Sequence, residues 1–466
     1  MSDRPNILFF FTDDQRFDTI RALGNGQVIT PHLDGLVENG TSFANAYIMG
    51  GSCPAVCMPS RAMLMTGRTL YHIEGQGQAV PEEHALMGET LRGAGYETFG
   101  TGKWHSGPRA YARSFSAGGE IFFGGMDDHW NVPVNDFDPS GEYRQRIQQT
   151  VDFHRQRIAT KICDHIKAGK HSSELFADAT IDFLRGLEGD DPFFAYVSFM
   201  APHEPRTMPQ EYIDMYDPAE IELPPNFMAE HPFDNGELKI RDEVLAGFPR
   251  TEEEVKQHIA AYYAMITHAD AQMGRVLEVL KETGRGENTI VVFAGDNGLA
   301  VGRHGLMGKQ NMYEHSVHVP LVMCGPGVPQ GERREALAYL IDIFPTLCDL
   351  SGVEIPGSVE GKSLTPALRD ADERIREHLH FAYRHWQRSV RDAQHKLIEY
   401  AVDGVRTTQL FDLVADPHEL NDLSGEASYA EKLEELRGAL RLWQEEYGDV
   451  REGQGEVFWR AYDGEG

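Results

Sequence analysis

Ile7-Leu8-Phe9-Phe10-Phe11 is an apolar run near the start of the chain that leads directly into Thr12-Asp13-Asp14. A short, continuous apolar run rich in aromatic and β-branched residues is typical of a strand that is buried on both faces. Three later runs have the same character: Phe193–Phe199, Thr289–Ala294 and Pro320–Met323. Helical patterns lie between them, notably over Glu253–Lys281. Strands that alternate with helices predict an α/β fold with a large mixed, mostly parallel sheet flanked by helices.

The pattern changes from about Arg376 onward. Short alternating runs separated by polar turns occur at His380–Tyr383, Lys396–Tyr400 and Thr408–Asp412. A helix follows, with Leu433, Leu436, Leu440 and Trp443 on one face. This predicts a smaller C-terminal α+β domain that carries an antiparallel sheet. We place the boundary near residues 366–374, which divides the chain into a large domain over 1–370 and a subdomain over 371–466.

The charge balance argues against some classes of partner. The chain has 466 residues, with 43 Lys and Arg against 73 Asp and Glu, and its formal net charge is −30. Wide contact with nucleic acid or an anionic membrane requires a basic face, so neither is expected. An anionic ligand must therefore meet a local cluster of cations or a bound metal.

The N-terminus and the cysteines bear on the compartment. No apolar stretch approaches the roughly 18 residues that a membrane span needs. Met1–Pro5 is not a basic segment followed by a long apolar one, so we see no signal peptide. The cysteines are odd in number and scattered, which suits a reducing compartment; they are Cys53, Cys57, Cys163, Cys324 and Cys348. We expect a cytoplasmic protein.

Polar side chains follow three of the four apolar runs, at Phe11, Phe199 and Ala294, and also follow a further predicted strand, Tyr96–Gly100. In open α/β sheets ligands bind outside the carboxyl ends of the strands, so these side chains should converge on one site. Each group alone could be a helix cap, a turn or a loop, and it is their joint placement that favours a site. The residues are Asp13, Asp14, Lys103, His105, His203, Asp296 and Asn297.

The acidic part of this set predicts a metal. Three carboxylates and an amide oxygen are hard ligands that suit Ca²⁺ or Mg²⁺. Without a cation, gathering Asp13, Asp14 and Asp296 would be repulsive. Zinc is a weaker alternative, because Cys53 and Cys57 have no second well-spaced pair to complete a tetrahedral site.

The sharpest motif is Cys57-Met58-Pro59-Ser60-Arg61, followed by Thr66-Gly67-Arg68. With it, the chain resembles the type I sulfatases of the alkaline-phosphatase superfamily, whose signature is Cys-x-Pro-Ser-Arg with a downstream Thr-Gly-Arg. The resemblance covers nearly the whole chain and implies an alkaline-phosphatase-like fold. Its other segments include Thr30–Asp34, Gly102–His105, Pro202-His203, Gly295–Gly298, Gly305–Lys309, Asp342–Thr346 and Leu410–Leu413.

The resemblance implies that Cys57 is oxidised to the aldehyde formylglycine by a formylglycine-generating enzyme that reads Cys57, Pro59 and Arg61. The hydrated aldehyde carries two hydroxyls: one attacks sulfur, and deprotonation of the other expels sulfate and restores the aldehyde. Independently, Pro59 suits the first turn of a helix, which places position 57 at the helix's positive end. The plainer alternative for Cys57 is a small buried core residue.

The resemblance also implies a role for each site residue. Arg61 holds the formylglycine hydroxyl and a metal-binding carboxylate, while Lys103 and Lys309 contact the sulfate oxygens. His105 is the base that releases sulfate, and His203, alone or with Lys309, protonates the departing alkoxide. The implied metal ligands, most simply to Ca²⁺ with Mg²⁺ as the alternative, are Asp13, Asp14, Asp296, Asn297 and an oxygen of modified Cys57.

Two positions depart from the family pattern. His318 stands where the family often has arginine before Val-Pro-Leu, and packing or a pocket wall is a better interpretation than catalysis. Cys53 adds a thiol four residues before Cys57, and we favour an inert core thiol over one that forms a disulfide.

The motifs do not identify the alcohol, and carbohydrate sulfates are the substrate class that the resemblance favours. The sugar pocket is predicted in residues 118–143 and in the aromatic and basic segment that includes Arg384, His385 and Trp386, which could equally pack the C-terminal domain. Two other functions stay open. One is a phosphodiesterase or phosphonate monoester hydrolase on the same scaffold, and the other is a non-catalytic sulfoglycan-binding protein in which Cys57 is never converted.

Overall fold

The computed structural model describes residues 4–152, 157–449 and 453–464. The strands, numbered β1 to β17 in chain order, are Asn6–Thr12, Gly40–Tyr47, Gly50–Gly51, Glu97–Lys103, Ala117–Phe122, Pro133–Val134, Arg146–Asp152, Arg157–Ile162, His165–Ile166, Phe193–Ser198, Thr289–Gly295, Leu321–Cys324, Glu332–Tyr339, Leu379–Tyr383, Gln387–Arg391, His395–Val402 and Val405–Asp412. The α-helices, numbered α1 to α12, are Pro31–Glu38, Cys57–Thr66, Met87–Gly93, Pro108–Ser114, Ser172–Gly186, Gln210–Ile213, Glu252–Glu282, Glu314–Val317, Ile343–Ser351, Thr365–Arg369, Ala430–Glu446 and Gln454–Asp463.

An eight-stranded sheet forms the larger layer, in the order β13-β2-β12-β11-β1-β10-β4-β5. Five consecutive strands of this order, β11, β1, β10, β4 and β5, are parallel to one another. Strand β12 runs antiparallel to both of its neighbours. The predicted large, mixed and mostly parallel sheet is therefore confirmed.

The central strand β1 is buried on both faces, as its unbroken apolar run predicts. Ile7, Phe9 and Phe11 belong to one core cluster, and Leu8 and Phe10 belong to another. The first cluster includes side chains of α2 and α9, and the second includes side chains of α5 and α7. Helices thus cover both faces of the sheet at β1, so polar side chains can form a site at the strand ends.

The carboxyl ends of the parallel strands are in register. Thr12 pairs with Gly295, Phe11 pairs with Ser198, and Ser198 pairs with Gly102. Strand β4 extends to Lys103, beyond the end at Gly100 that the sequence suggests. Gly102 permits this extension, because a Cβ there would lie 1.9 Å from the Ser198 carbonyl oxygen.

A second sheet has the order β17-β16-β15-β14-β3. Strands β14 to β17 are antiparallel, and α11 and α12 pack on them around a third core cluster that includes Leu397, Leu436 and Phe458. The predicted antiparallel C-terminal sheet is confirmed. Its last strand is a surprise, because β3 lies far upstream at Gly50–Gly51 and pairs with β14. The domain bounds at 370 and 371 stay a prediction.

The chain between β4 and α5 makes excursions that include α4 and short β-pairs, as the glycine-rich and aromatic pattern of this region predicts. Among the residues that the structure describes, none of the helices has the length and apolar character needed to cross a membrane.

Candidate active site

Four metal-ligand candidates meet where β1 and β11 end. Asp13 and Asp14 follow β1, and Asp296 and Asn297 follow β11. The backbone N–H of Asp14 donates to Asp296 Oδ1 at 3.0 Å, and Asn297 Nδ2 donates to Asp14 Oδ1 at 2.6 Å. Asp14 has a left-handed φ of 65°, a conformation that costs on the order of 1–3 kcal/mol and tends to persist at functional sites. The four side chains are buried and point at one another.

The donor set of this cluster fits a hard divalent cation. Three of its buried oxygens, Asp13 Oδ1, Asp14 Oδ2 and Asn297 Oδ1, have no hydrogen-bond partner in the described part of the chain. Buried polar atoms rarely stay unpaired, so three together call for a ligand. Carboxylate oxygens of Asp13 and Asp296 also lie within 4.8 Å of Cys57 Sγ. Oxygen ligands of this kind suit Ca²⁺ or Mg²⁺.

The carboxylates of the cluster disturb one another's titration. Burial raises the pKa of Asp296 to about 7, and the nearby Asp13 adds to the rise. Burial also raises the pKa of Asp14, although Lys309 opposes it. Asp13 is equally buried, yet the cations around it, chiefly Lys103, hold its pKa far below its usual value. A bound divalent cation would relieve this crowding.

Cys57 is the first residue of α2, and Pro59 lies in the first turn of that helix, as the motif predicts. The helix N-terminus favours negative charge at this position. Lys103 Nζ lies 3.7 Å from Cys57 Sγ. Burial raises the pKa of the Cys57 thiol to about 12, so the unmodified residue is a neutral thiol at physiological pH and a poor nucleophile.

Arg61 lies one turn further along α2 and holds the cluster in place. Its Nε donates to Asp296 Oδ2 at 2.9 Å, and its Nη1 donates to Ser198 Oγ. The guanidinium also lies 5.0 Å from the centroid of the Phe11 ring. Arg61 is buried, and these partners compensate a charge that would otherwise be costly to bury. This is the position that the resemblance implies for the arginine.

Two lysines complete the charged part of the site. Lys103, at the end of β4, contacts Asp13 Oδ2, and Lys309 Nζ donates to Asp14 Oδ1 at 2.5 Å. Burial would lower the pKa of Lys309, but the Asp14 carboxylate holds it well above its usual value. A tetrahedral anion on residue 57 would therefore lie among ammonium groups that are fixed by buried carboxylates.

Both predicted histidines are at the site. His203 Nδ1 donates to the Glu204 carbonyl at 2.8 Å, and His203 Nε2 lies 3.7 Å from Asp14 Oδ2. Burial and the neighbouring Lys103 lower the pKa of His105 well below its usual value. A neutral imidazole at this position can accept a proton.

A cavity of about 200 Å³ opens over Cys57, and His203 and Lys309 also line it. Gly125 and Met126 also line the cavity, and both belong to the segment 118–143 in which the sequence predicts the sugar pocket. Ile240, Arg241, Asp242 and Gln310 were not predicted, because they lie in loops without hydrophobic periodicity. Gln310 could have been found from its position directly after Lys309.

The structure does not bring Arg384, His385 and Trp386 into this cavity. They lie in the turn between β14 and β15, where the Arg384 guanidinium stacks 4.3 Å from the Trp386 ring centroid and donates to Glu237 Oε1 at 2.7 Å. Arg384 lines a separate cavity of about 220 Å³ that also includes Ser52. Substrate contact by these three residues stays a prediction.

The two departures from the family pattern both lie in packed surroundings. His318 is stacked between the rings of Phe17 and Tyr47, at centroid distances of 3.9 and 4.5 Å, and its Nδ1 lies 3.0 Å from Glu314 Oε2. Packing therefore accounts for His318. Cys53 is a buried free thiol, and burial raises its pKa.

Known proteins match most of this chain. The sulfatase family matches residues 5–353, and the C-terminal region of N-sulphoglucosamine sulphohydrolase matches residues 302–446. The N-acetylglucosamine-6-O-sulfatase of Bacteroides thetaiotaomicron is 26% identical, over 96% of this chain and 87% of its own length. The ulvan-active sulfatase of Formosa agariphila is 30% identical, over 96% of this chain and 82% of its own length.

Solved structures share the fold. A structure in complex with its substrate D-glucosamine-2-N,6-O-disulfate has a TM-score of 0.73 and 24% identity, covering 97% of this chain and 100% of that one. The phosphonate monoester hydrolase of Agrobacterium radiobacter has a TM-score of 0.74 and 22% identity, covering 95% and 96%. Since the sulfatase match spans three quarters of the chain and includes the Cys57 motif, this chain belongs to the sulfatase family of the alkaline-phosphatase superfamily and is a sulfuric ester hydrolase.

Proposed function

We propose that this enzyme hydrolyses a sulfate monoester of a carbohydrate, with Cys57 converted to formylglycine and Ca²⁺ held by Asp13, Asp14, Asp296 and Asn297. The observation that carries the proposal is the convergence of these ligands on position 57. Cys57 Sγ lies within 4.8 Å of carboxylate oxygens of Asp13 and Asp296. A thiol with a pKa near 12 is an unsuitable nucleophile in its own right, which favours its conversion.

The cation and the side chains of the site each have a separate role in the proposed reaction. When bound, the cation polarises the hydrated aldehyde and offsets the charge of the sulfate. Arg61 fixes the Asp296 carboxylate, and Lys103 and Lys309 bind the sulfate oxygens as the ester S–O bond breaks. His203 gives its Nε2 proton to the departing alkoxide, which is otherwise a poor leaving group. His105 takes the proton whose removal releases sulfate.

The carbohydrate class draws on the relatives that span most of the chain. An N-acetylglucosamine-6-O-sulfatase and an ulvan-active sulfatase both act, by their names, on sulfated sugars. The cavity over Cys57, at about 200 Å³, mixes the apolar Ile240 and Met126 with the polar Arg241 and Gln310. Such a mixture suits a sugar ring, which has apolar faces and hydroxyl edges.

The test is a sulfate-release screen over defined sulfated mono- and oligosaccharides, with protein shown by mass spectrometry of the 52–61 peptide to carry the aldehyde. Release from at least one sugar, lost in Asp13→Ala and Asp296→Ala, supports the proposal. A Cys57→Ser enzyme should retain one covalently bound sulfate per chain, because serine has no second hydroxyl to expel it. Normal turnover by that variant, or inertness of the converted protein toward every sulfated sugar, would contradict the proposal.

A phosphonate or phosphodiester substrate is the second candidate, favoured by the shared fold of the Agrobacterium enzyme. Comparing 4-nitrophenyl sulfate with 4-nitrophenyl phenylphosphonate separates the two, since both release the same alcohol. A large preference for the phosphonate would assign the enzyme to that class instead.

We also propose that the enzyme works in the cytoplasm on imported sulfated sugars, after maturation by a formylglycine-generating enzyme. Its five cysteines are free thiols, and four of them are buried. Fractionation of the native host, followed by immunodetection, tests the location, and recovery in an extracytoplasmic fraction would overturn it.

A further inference from the structure

A second buried histidine contacts the loop that carries His203. His129 is fully buried, and its Nε2 lies 3.0 Å from the backbone carbonyl oxygen of His203. Its other ring nitrogen, Nδ1, lies 2.7 Å from Ser172 Oγ. The backbone N–H of Ser172 in turn donates to the His129 carbonyl at 2.8 Å. His129 and the first residue of α5 thus form a closed pair beneath the His203 loop.

These contacts indicate which ring nitrogens of His129 and His203 carry a proton. A carbonyl oxygen can only accept, so His129 Nε2–H must donate to His203, and His129 Nδ1 must accept from the Ser172 hydroxyl. Burial lowers the pKa of His129 to about 4, so the ring stays neutral. By the same reasoning His203 Nδ1–H donates to the Glu204 carbonyl. His203 can therefore act as a proton donor only as the imidazolium, which carries its second proton on the Nε2 that faces the site.

The His203 loop has a second anchor at the metal cluster. The backbone N–H of Asp13 donates to the Ala201 carbonyl at 3.1 Å, and the N–H of His203 donates to the Met200 carbonyl at 3.1 Å. The bond from His129 is therefore a direct side-chain support of the His203 backbone, and the adjacent Glu204 is held separately by an ion pair with Arg241. His129 belongs to the segment 118–143 in which the sequence predicts the sugar pocket, but it lies outside the family motifs and does not line the cavity over Cys57.

We propose that His129 is a positioning residue, which holds the His203 backbone so that Nε2 meets the leaving-group oxygen of the substrate. This inference rests on the proposed function, because it assumes that His203 protonates the departing alkoxide. Its consequence is selective. Misplacing a proton donor by about 1 Å can cost on the order of 100-fold in rate, but only where the leaving group needs the proton.

The choice of leaving group therefore separates positioning from general damage. A nitrophenolate leaves readily without a proton, whereas a sugar or alkyl alkoxide does not. Weakening the bond from His129 should lower kcat for the sugar sulfate by roughly 10- to 100-fold, with little change in KM. It should change kcat for 4-nitrophenyl sulfate by less than about threefold, since that ester does not need the donor.

The experiment compares His129→Gln with His129→Asn in protein normalised for aldehyde content. Glutamine places its amide nitrogen near the position of the histidine Nε2 and can keep the bond to the His203 carbonyl, whereas asparagine is too short to reach it. We expect His129→Gln to retain most of the activity on the sugar sulfate and His129→Asn to lose it, while both retain activity on 4-nitrophenyl sulfate. Ser172→Ala, which frees Nδ1, should fall between them.

The outcomes distinguish failure of the proposed function from failure of the positioning role of His129. If the wild-type enzyme, fully converted, releases no sulfate from either ester, the proposed function fails. If the wild type is active and His129→Asn loses both esters in the same proportion, or neither, the positioning role is refuted. Circular dichroism and thermal midpoints for each variant identify unfolded protein, and an unfolded His129→Asn is replaced in the comparison by Ser172→Ala.

Discussion

Lys396 should be one of the most sensitive residues outside the active site. It is fully buried, and its Nζ lies 3.0 Å from Glu314 Oε1 and 2.9 Å from Glu419 Oε1. Glu314 begins α8, five residues after Lys309, whereas Lys396 belongs to β16 of the C-terminal sheet. The cation thus joins the small sheet to the segment that follows Lys309, and Lys396→Met removes the charge while keeping most of the side-chain volume.

The magnitude follows from what remains after the substitution. Removing one partner of a buried ion pair costs about 3–5 kcal/mol, because the other charge is left uncompensated. Glu314 would keep the Tyr47 hydroxyl at 2.6 Å, and Glu419 would keep the Glu314 backbone N–H at 2.8 Å. Glu314 would also keep His318 Nδ1, 3.0 Å from its Oε2. Since both carboxylates retain partners, we expect a loss near the lower end, about 3 kcal/mol.

The penalty should depend on pH in a defined direction. Burial opposes ionisation of Glu314, but Lys396 holds the pKa of Glu314 well below its usual value in the wild type. That contribution is present above the unfolded pKa of roughly 4.3 and is lost as pH falls through the folded pKa. Lys396→Met removes the largest of the contributions that lower this pKa, while His318 and Arg391 remain, so the pKa of Glu314 rises toward its usual value. The difference in unfolding free energy should therefore be larger at pH 8 than at pH 5.

The assay is denaturant and thermal unfolding of wild type and variant at both pH values. Lys432→Met is the matched control, because Lys432 Nζ makes similar contacts, 3.2 Å from Asp392 and 2.7 Å from Glu435, near the surface. Exposed pairs of this kind contribute about 0–1 kcal/mol. Adding Glu314→Gln and Glu419→Gln to Lys396→Met should recover part of the loss. Equal losses for Lys396→Met and Lys432→Met would refute the reasoning.

Three further predictions concern the metal, pH and a glycine. Chelation should abolish sulfate release and lower the thermal midpoint, and Ca²⁺ should restore both, because a ligand that binds only the folded state stabilises it; an unchanged midpoint would argue against a resident cation. Burial lowers the pKa of His268 to about 4 and of His171 to about 2. Both rings stay neutral in the folded state, whereas the same histidines take up protons in the unfolded chain below roughly pH 6.5. The unfolding free energy should therefore fall by about 1.4 kcal/mol per histidine per pH unit between that pH and pH 4. His268→Leu should flatten this slope in pH-dependent denaturation, and a slope that is unchanged counts against it. Gly298→Ala should lose activity and stability, because its Cβ would lie 2.1 Å from the His315 carbonyl oxygen; a wild-type melting curve would contradict the close approach.

The large sheet was predictable because its central strands are buried on both faces. Burial on both faces removes polar alternation, so β1, β10 and β11 appear in the sequence as continuous apolar runs. Strand β15 could not be recognised by this pattern, because its five residues include two arginines, although all five are buried. Arg388 within it is neutralised by Asp449, at 2.6 and 2.8 Å, and a partner 61 residues away leaves no local pattern.

Some residues of the candidate site were likewise predictable from the sequence, and others were not. Asp13 and Asp296 could be found because each directly follows a strand, so local pattern and topology fix their positions. Cys57 could be found because the motif around it resembles the sulfatase signature. Ile240 and Arg241 could not, because they lie in a loop whose course depends on tertiary contacts alone. His129 was missed for a related reason: its function depends on a backbone carbonyl, which has no identity in the sequence.

The small sheet contacts the segments that lead into the candidate site. Its edge strand β3, at Gly50–Gly51, lies six residues before Cys57, and a Cβ at Gly50 would lie 2.1 Å from the Ala382 carbonyl oxygen of β14. On the other side, Gln387 Nε2 donates to the Asn235 carbonyl at 2.9 Å and to the carbonyl of Gln310, a residue of the cavity wall, at 3.2 Å. The C-terminal sheet therefore supports both the segment before Cys57 and one residue that lines the cavity. A boundary near residue 370 separates two sheets in the sequence, but both sheets support the pocket over Cys57.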